Sequence, residues 1–182
     1  MSIRGCHVVD RHQSGVSIRP ERLDDASAIH AVHAAAFATD AEARLVDAIR
    51  ANGRAAVSLV AEAGDRVVGH ILFSEVTVGA VPDGPRGVGL APLAVAPDLQ
   101  RRGIGAALAR SGIEACRAAG FGFVVVLGDP EYYARFGFGK ASSRGLGNEY
   151  GVDVEFMVLE LRDGGLARVS GVVAYCPEFA LV

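Results

Sequence analysis

Apolar residues change their spacing several times along this chain, and each change predicts a different element. The run VSIRP (16–20) reads as a short strand closed by Pro20, which has no N–H to continue a ladder. LDDASAIHAVHAAAF then places Ile29, Val32, Ala36 and Phe37 near helical spacing, behind Asp24 and Asp25 as capping candidates. DAEARLVDAIRANG repeats the pattern with Leu45, Val46 and Ile49 and stops at Asn52-Gly53. Two helices therefore follow the first strand. AVSLVAEAGDRVVGHILFSEVTV is two β-rich runs joined by Ala63-Gly64-Asp65-Arg66, a hairpin signal. The turn-rich VPDGPRG leads into GLAPLAVAP (89–97), apolar on both faces as a central strand requires.

A helix is predicted from about Arg101 to Ala119, ended by Gly120, with Gly105, Leu108, Ala109, Gly112 and Cys116 on one side. Arg110, Glu114 and Arg117 face away from that side. FGFVVVLGD (121–129) is a second buried strand, so strand, helix and strand form a parallel crossover. A short helix PEYYARF is opened by Pro130, VDVEFMVLEL (152–161) is a long strand, and GVVAYCPEF supplies a last one. The order β-α-α-β-β-β-α-β-α-β predicts an α/β domain over 16–182, one mixed sheet with helices on both faces, after a loose leader at 1–15.

Composition narrows the function classes. At 182 residues, with 51% hydrophobic and 21% charged, the chain is an ordinary globular protein with a substantial core. A net charge of −3 creates no field that draws nucleic acid or an anionic membrane, so neither is expected as a partner. Cys6, Cys116 and Cys176 are far apart and odd in number, which argues against a disulfide framework and for a reducing compartment. No apolar run is long enough for a signal peptide or a membrane span, and a cytoplasmic location is expected.

The chemistry concentrates in VAPDLQRRGIGAAL (95–108). Glycine inside a helix costs about 1 kcal/mol relative to alanine, so Gly103 and Gly105 in the first turn call for a compensating role. A helix mouth with bare amides suits an anion. The P-loop is excluded because no Gly-Lys-Ser/Thr occurs, and the dinucleotide fingerprint fails at Leu108, where its third glycine belongs. The pattern that is filled is Q-x-x-G-x-G, by Gln100-Arg101-Arg102-Gly103-Ile104-Gly105.

LAVAPDLQRRGIGAAL resembles the acyl-CoA-binding motif of the GNAT N-acetyltransferase superfamily, including the preceding V-x-P at Val95 and Pro97. GDPEYYARFGF (128–138) resembles the family's Y-x-x-x-G-F segment, with Tyr133 four residues before Gly137, in the form used by a bacterial branch of predicted acetyltransferases. The resemblance implies the acyl-CoA N-acyltransferase fold, with a mostly antiparallel sheet. It also implies acetyl-CoA as cosubstrate without a metal, and an amine acceptor on a small molecule, protein or peptide. Transfer would go by direct attack in a ternary complex, and a homodimer is among the assemblies the family uses. A non-catalytic acyl-CoA-binding sensor is the alternative reading, and nucleotide-dependent phosphotransfer a third.

By the same resemblance, amides of Arg101, Arg102, Gly103, Ile104, Gly105 and Ala106 hold the coenzyme's diphosphate. Leu93, Ala94 and Val95 hold its pantetheine arm on a strand bulged near Pro92, and an amide at Leu93 or Val95 stabilises the oxyanion. Tyr133 is the general acid, with Tyr132 packing beside it. Glu75 is either the base or a solvent-facing glutamate on an alternating strand. Glu149 and Tyr150 either line an acceptor pocket or form a plain connector. His30 and His33, at i, i+3, have a spacing compatible with a metal but no accompanying carboxylate motif, while Cys116 reads as packing and Cys176 has no basic partner.

Overall fold

The computed structural model describes residues 15–79 and 84–181. The predicted leader, Cys6 and part of the VPDGPRG loop lie outside the described residues. The strands are β1 (Val16–Pro20), β2 (Ala55–Ala63), β3 (Arg66–Val78), β4 (Gly87–Val95), β5 (Phe123–Leu127), β6 (Gly139–Lys140), β7 (Leu146–Asn148), β8 (Phe156–Glu160) and β9 (Gly171–Ala174). The helices are α1 (Ala26–Ala36), α2 (Ala41–Ala51), α3 (Ile104–Ala118) and the short α4 (Pro130–Ala134).

The sheet runs β1-β2-β3-β4-β5-β8-β6, with β9 pairing the far end of β3 and β7 pairing β9. Among the described residues, β4–β5 and β7–β9 are parallel and the remaining pairs antiparallel. The fold is thus mixed and mostly antiparallel. The β2–β3 hairpin turns at Gly64, whose φ of 60° explains the glycine.

Each face of the sheet carries its own core. Ile104, Leu108, Ala109, Ile113 and Cys116 of α3 pack on Ile71, Phe73, Val88 and Leu90. Gly112 lets α3 descend onto the sheet, because a Cβ there would collide with the Phe73 ring. On the opposite face Ile29, Val32, Leu45, Val46 and Ile49 of α1 and α2 pack on Val60, Leu72 and Ala94.

The structure differs from the sequence reading at several points, among them the short strands β6 and β7, which that reading did not contain. The third helix starts at Ile104, not near Arg101, because Arg101 (φ 60°) and Gly103 (φ 84°) take the left-handed conformation. The strand expected at 152–161 shrinks to Phe156–Glu160, matching the five residues of its partner β5. Asp25 sits at the N-cap of α1 without a side-chain cap. Its carboxylate instead takes two bonds from the Arg19 guanidinium, at 2.6 and 2.9 Å, and one from the Arg22 amide. The Arg19 bonds hold Asp25 at a pKa of about 2.

Beneath α1 and α2 runs a chain of buried polar groups. The Ser58 hydroxyl donates to Glu21, so His70 Nε2–H donates to Ser58 Oγ over 2.8 Å, and His33 Nε2–H donates to His70 Nδ1 over 2.8 Å. Both histidines are fully buried. Burial drives the His33 pKa down to about 3, with His70, Arg50 and His30 adding repulsion. Burial also lowers His70, against the opposing pull of Glu21. Burial alone would raise Glu21, but the nearby His70 ring and bonds from Ser58 and Arg50 hold it at about 2.

Because both histidines fold neutral, the unfolded chain binds more protons below its own histidine pKa of about 6.5. Stability is therefore complete above that pH and declines as pH falls, by up to about 1.4 kcal/mol per pH unit for each histidine. Urea unfolding midpoints at pH 7.5 and 5.0 measure this, a window above the range where Glu21 and Asp25 leave their unfolded values. His33→Gln, whose amide can still donate to His70, flattens the slope.

Candidate functional site

The site begins with an interruption in β4. Its parallel pairing with β5 covers Gly87–Leu90 against Phe123–Val126 and goes no further. On the other edge Ile71 of β3 faces Leu93 while Phe73 faces Leu90, so two steps on β3 oppose three on β4. The extra residue falls at Ala91-Pro92, a bulge where Pro92 has no N–H to give a regular ladder. Beyond it, the Ala96 amide donates to the Val68 carbonyl at 2.8 Å. Antiparallel alternation then makes Val95/Gly69 and Leu93/Ile71 the open pairs, whose amides and carbonyls point away from β3. Leu93 and Val95 therefore present backbone groups to the widening space between β4 and β5. Ala94, between them, turns its own groups into the ladder opposite His70.

The mouth of α3 lies beside this space. Arg101, Arg102 and Gly103 are exposed, Ile104 is buried as an anchor, and Gly105 and Ala106 are half-buried. The two glycines serve different ends. A Cβ on Gly103 would meet nothing within 4 Å, so that glycine is required by its positive φ. A Cβ on Gly105 would come within 3.1 Å of the Tyr132 hydroxyl and 3.7 Å of Val95, so that glycine keeps the passage between α3, α4 and β4 clear. Amides of the first turn, the positive end of the fifteen-residue α3 and two exposed arginines converge here, a setting suited to a phosphate-bearing ligand.

α4 closes the α3 side of the space. Pro130 opens it, and the Asp129 side chain caps it by accepting from the Glu131 amide at 2.9 Å. The Tyr133 ring lies on the backbone at the end of β5, where a Cβ on Gly128 would stand 2.5 Å from its Cε2. Burial, with Tyr132 and Asp129 adding, pushes the Tyr133 phenol up to about 12. It is a weaker acid than an ordinary phenol and fully protonated at neutral pH. The Tyr132 ring is covered by the Arg135 guanidinium at 4.3 Å, but its hydroxyl reaches Gly105, so it lines the passage as well as packing.

On the opposite face stands Tyr175, a residue the sequence reading missed. It follows β9, and its ring fills the place a Cβ of Gly89 would take, one residue before the last β4–β5 pair. Its amide donates to Glu149 Oε1 at 2.8 Å, and its ring lies 6.1 Å from Tyr150 and 4.8 Å from Phe179. A glycine in the middle of a buried strand was the available signal, since such a gap is commonly filled by another side chain.

Glu75 does not join this group. It pairs in register with Val88, four residues along β3 from Ile71 and so roughly 13 Å away at strand rise. Its half-exposed carboxylate is engaged by Arg86. His30 and His33 are also separated: His30 bonds Asp47 at 2.7 Å on the surface while His33 turns inward to His70. Among the described residues no three His, Cys, Asp or Glu gather as a metal-binding group. Burial pushes the Cys116 thiol up to about 12, and burial also raises Cys176, whose Sγ lies 3.7 Å from Ser74 Oγ. Neither is an activated nucleophile.

Known proteins resemble this chain in sequence and in fold. The model of the acetyltransferase (GNAT) family matches residues 24–138. The uncharacterized N-acetyltransferase YhbS of Escherichia coli K12 is 37% identical over 164 residues, covering 89% of this chain and 97% of that protein. The crystal structure of Escherichia coli YhbS in complex with CoA superposes with a TM-score of 0.87 at 35% identity, covering 96% of each chain. That of a GNAT family acetyltransferase from Brucella melitensis in complex with acetyl-CoA gives 0.75 at 37% identity, covering 90% of this chain and 97% of that one.

Filling the space under Tyr133 tests how tightly that ring is held. Gly128→Ala is expected to overpack the site and lower unfolding free energy in urea by about 1–3 kcal/mol.

Proposed function

The chain belongs to the acetyltransferase (GNAT) family, and from that premise we propose that it moves an acetyl group from acetyl-CoA to an amine by direct attack in a ternary complex. The observation that carries this reading is the bulged β4, which turns the backbone of Leu93 and Val95 toward a space running on to the mouth of α3. The fit to coenzyme A rests on the cradle there. Gly105 leaves room for a ligand close to the helix, and amides from Arg101 to Ala106 face it with a positive dipole end behind them. Arg101 and Arg102 add charge for phosphate.

When bound, the coenzyme supplies an activated acetyl thioester. Leu93 and Val95 hold the arm that carries it by strand-like hydrogen bonds, and an amide of one of them polarises the carbonyl oxygen where negative charge develops. As the C–N bond forms and the C–S bond breaks, the sulfur leaves as thiolate. Tyr133 donates the proton it needs, and the proton shed by nitrogen goes to solvent. A phenol raised to about 12 keeps its proton through the whole range in which amines lose theirs, so the donor form is always present.

Isothermal titration of cofactor-free protein with CoA, ATP and NAD tests the premise: CoA is expected to bind, and binding of ATP or NAD in its place would overturn it. Tyr133→Phe should reduce kcat by roughly a hundredfold while leaving acetyl-CoA affinity within about twofold. No alkaline limb from Tyr133 should appear in the wild-type pH profile below about pH 10. Equal turnover by the variant would remove Tyr133 from the mechanism, and binding without turnover by either protein would mark a sensor.

A further inference from the structure

The Tyr175 hydroxyl is one of a few buried polar side-chain atoms without a partner among the described residues, and of these it lies beside the β4–β5 gap. The residue is 8% exposed, and its hydroxyl is buried with no hydrogen-bond partner among the described residues. A buried hydroxyl left unpaired costs about 1–3 kcal/mol, so its retention asks for a reason. Phenylalanine would fill the same space over Gly89 without that cost.

Its location supplies the reason. Val88 and Leu90 of β4 point toward α3, so Gly89 points the other way, and Tyr175 covers it from the face opposite α3. Tyr133 packs on the α3 face at the end of β5. The two phenols therefore flank the point where β4 and β5 part, one from each side of the sheet. Around Tyr175 the character is aromatic and acidic. Burial chiefly keeps its hydroxyl protonated, and the Glu149 carboxylate, which accepts from the Tyr175 amide, adds to this. Burial also raises the Tyr150 phenol, with the neighbouring Glu149 adding to it. Glu149 is exposed, and only one of its oxygens is used by the Tyr175 amide. Tyr150 is 50% exposed and stands over the cluster, an exposed ring able to rotate on a fast timescale.

We propose that Glu149, Tyr150 and Tyr175 form the acceptor subsite, and that it takes a cationic primary amine. The inference rests on the acetyl-transfer reading above. Glu149 attracts the ammonium form at the mouth, and the faces of Tyr150 and Tyr175 favour a cation over an anion. Tyr150 swings aside to admit it. Once the ammonium has released one proton to water, the Tyr175 hydroxyl oxygen accepts a hydrogen bond from one of the two remaining N–H groups, which aims the nitrogen lone pair at the β4–β5 gap. Tyr175 thus touches the substrate across the reaction centre from Tyr133.

Wild type, Tyr175→Phe and Glu149→Gln are compared by CoA release with acetyl-CoA and n-butylamine, tyramine, spermidine or Nα-acetyl-lysine amide, alongside acetyl-CoA affinity by calorimetry and thermal melting. In Glu149→Gln the side-chain amide oxygen can still accept from the Tyr175 backbone N–H, so that substitution removes charge and keeps the bond. At least one amine should be acetylated. With it, Tyr175→Phe should lower kcat about tenfold or more and Glu149→Gln should raise the amine KM about tenfold. Both should leave acetyl-CoA affinity within about twofold, and Tyr175→Phe should melt no lower than wild type. Acetyl-CoA binding with none of the four amines used would overturn the acceptor class and leave the acetyl-CoA reading standing. Variants that match wild type on the amine, or a Tyr175→Phe protein that melts several degrees lower, would overturn the subsite. Failure of wild type to bind acetyl-CoA would bring down the functional reading itself.

Discussion

The structure depends on a ladder that stops. β4 sits at the centre of the sheet, bonded on both edges as far as Leu90, and then loses β5 while keeping β3. One residue inserted at Ala91-Pro92 resets which backbone groups face which neighbour. Without that shift, the amides beyond it would present the opposite parity, and Ala94 rather than Leu93 and Val95 would look into the space. Backbone hydrogen bonding, the strongest obligation a buried strand has, is here left unmet by β5 over a few residues, and the Val95 carbonyl is taken up by Gln100.

A gap in a central sheet is tolerable only if something else keeps the strands in place. The two cores do so independently. α3 grips β3 and β4 through Phe73, Leu90 and the close approach at Gly112, and α1 and α2 hold the other face through Val60, Leu72 and Ala94. A third buried cluster, with Val125, Phe156 and Tyr175, packs on the face opposite α3 beside the gap. One face offers the helix mouth and Tyr133, the other Tyr175 with the acidic, aromatic cluster around it. The buried chain from His33 to Glu21 belongs to the α1–α2 layer, directly under Ala94 by register. It fixes that layer with polar bonds that hold only while both histidines stay neutral.

Much of the fold was legible in the sequence because spacing follows from local chain geometry. The two helices after the first strand, the Gly64 hairpin, the central apolar strand and the inner face of α3 all appear where periodicity put them. Helix and strand ends were less legible, since they depend on backbone conformation at Arg101 and on the length of a partner strand for β8. The site divides in the same way. The helix mouth and Tyr133 lie in contiguous motifs, and Pro92 announced the bulge by lacking a donor. Glu75 was plausible from its strand alone, but register sets it at the wrong height and Arg86 claims it. Tyr175 was hard to read because its signal is a gap at Gly89, 86 positions earlier in the chain, which does not say what fills it. Only folding brings the two together.

The side chain of Gln100 donates to the carbonyl of Val95 at 3.0 Å, joining the turn before α3 to the free end of β4. On the reading proposed above, the part that would grip a ligand's charged end and the part that would grip its arm are thereby braced as one body. Such a brace works as a gauge of length. A molecule whose charged group and reactive group are separated by the wrong span cannot satisfy both grips at once, however well each end fits alone.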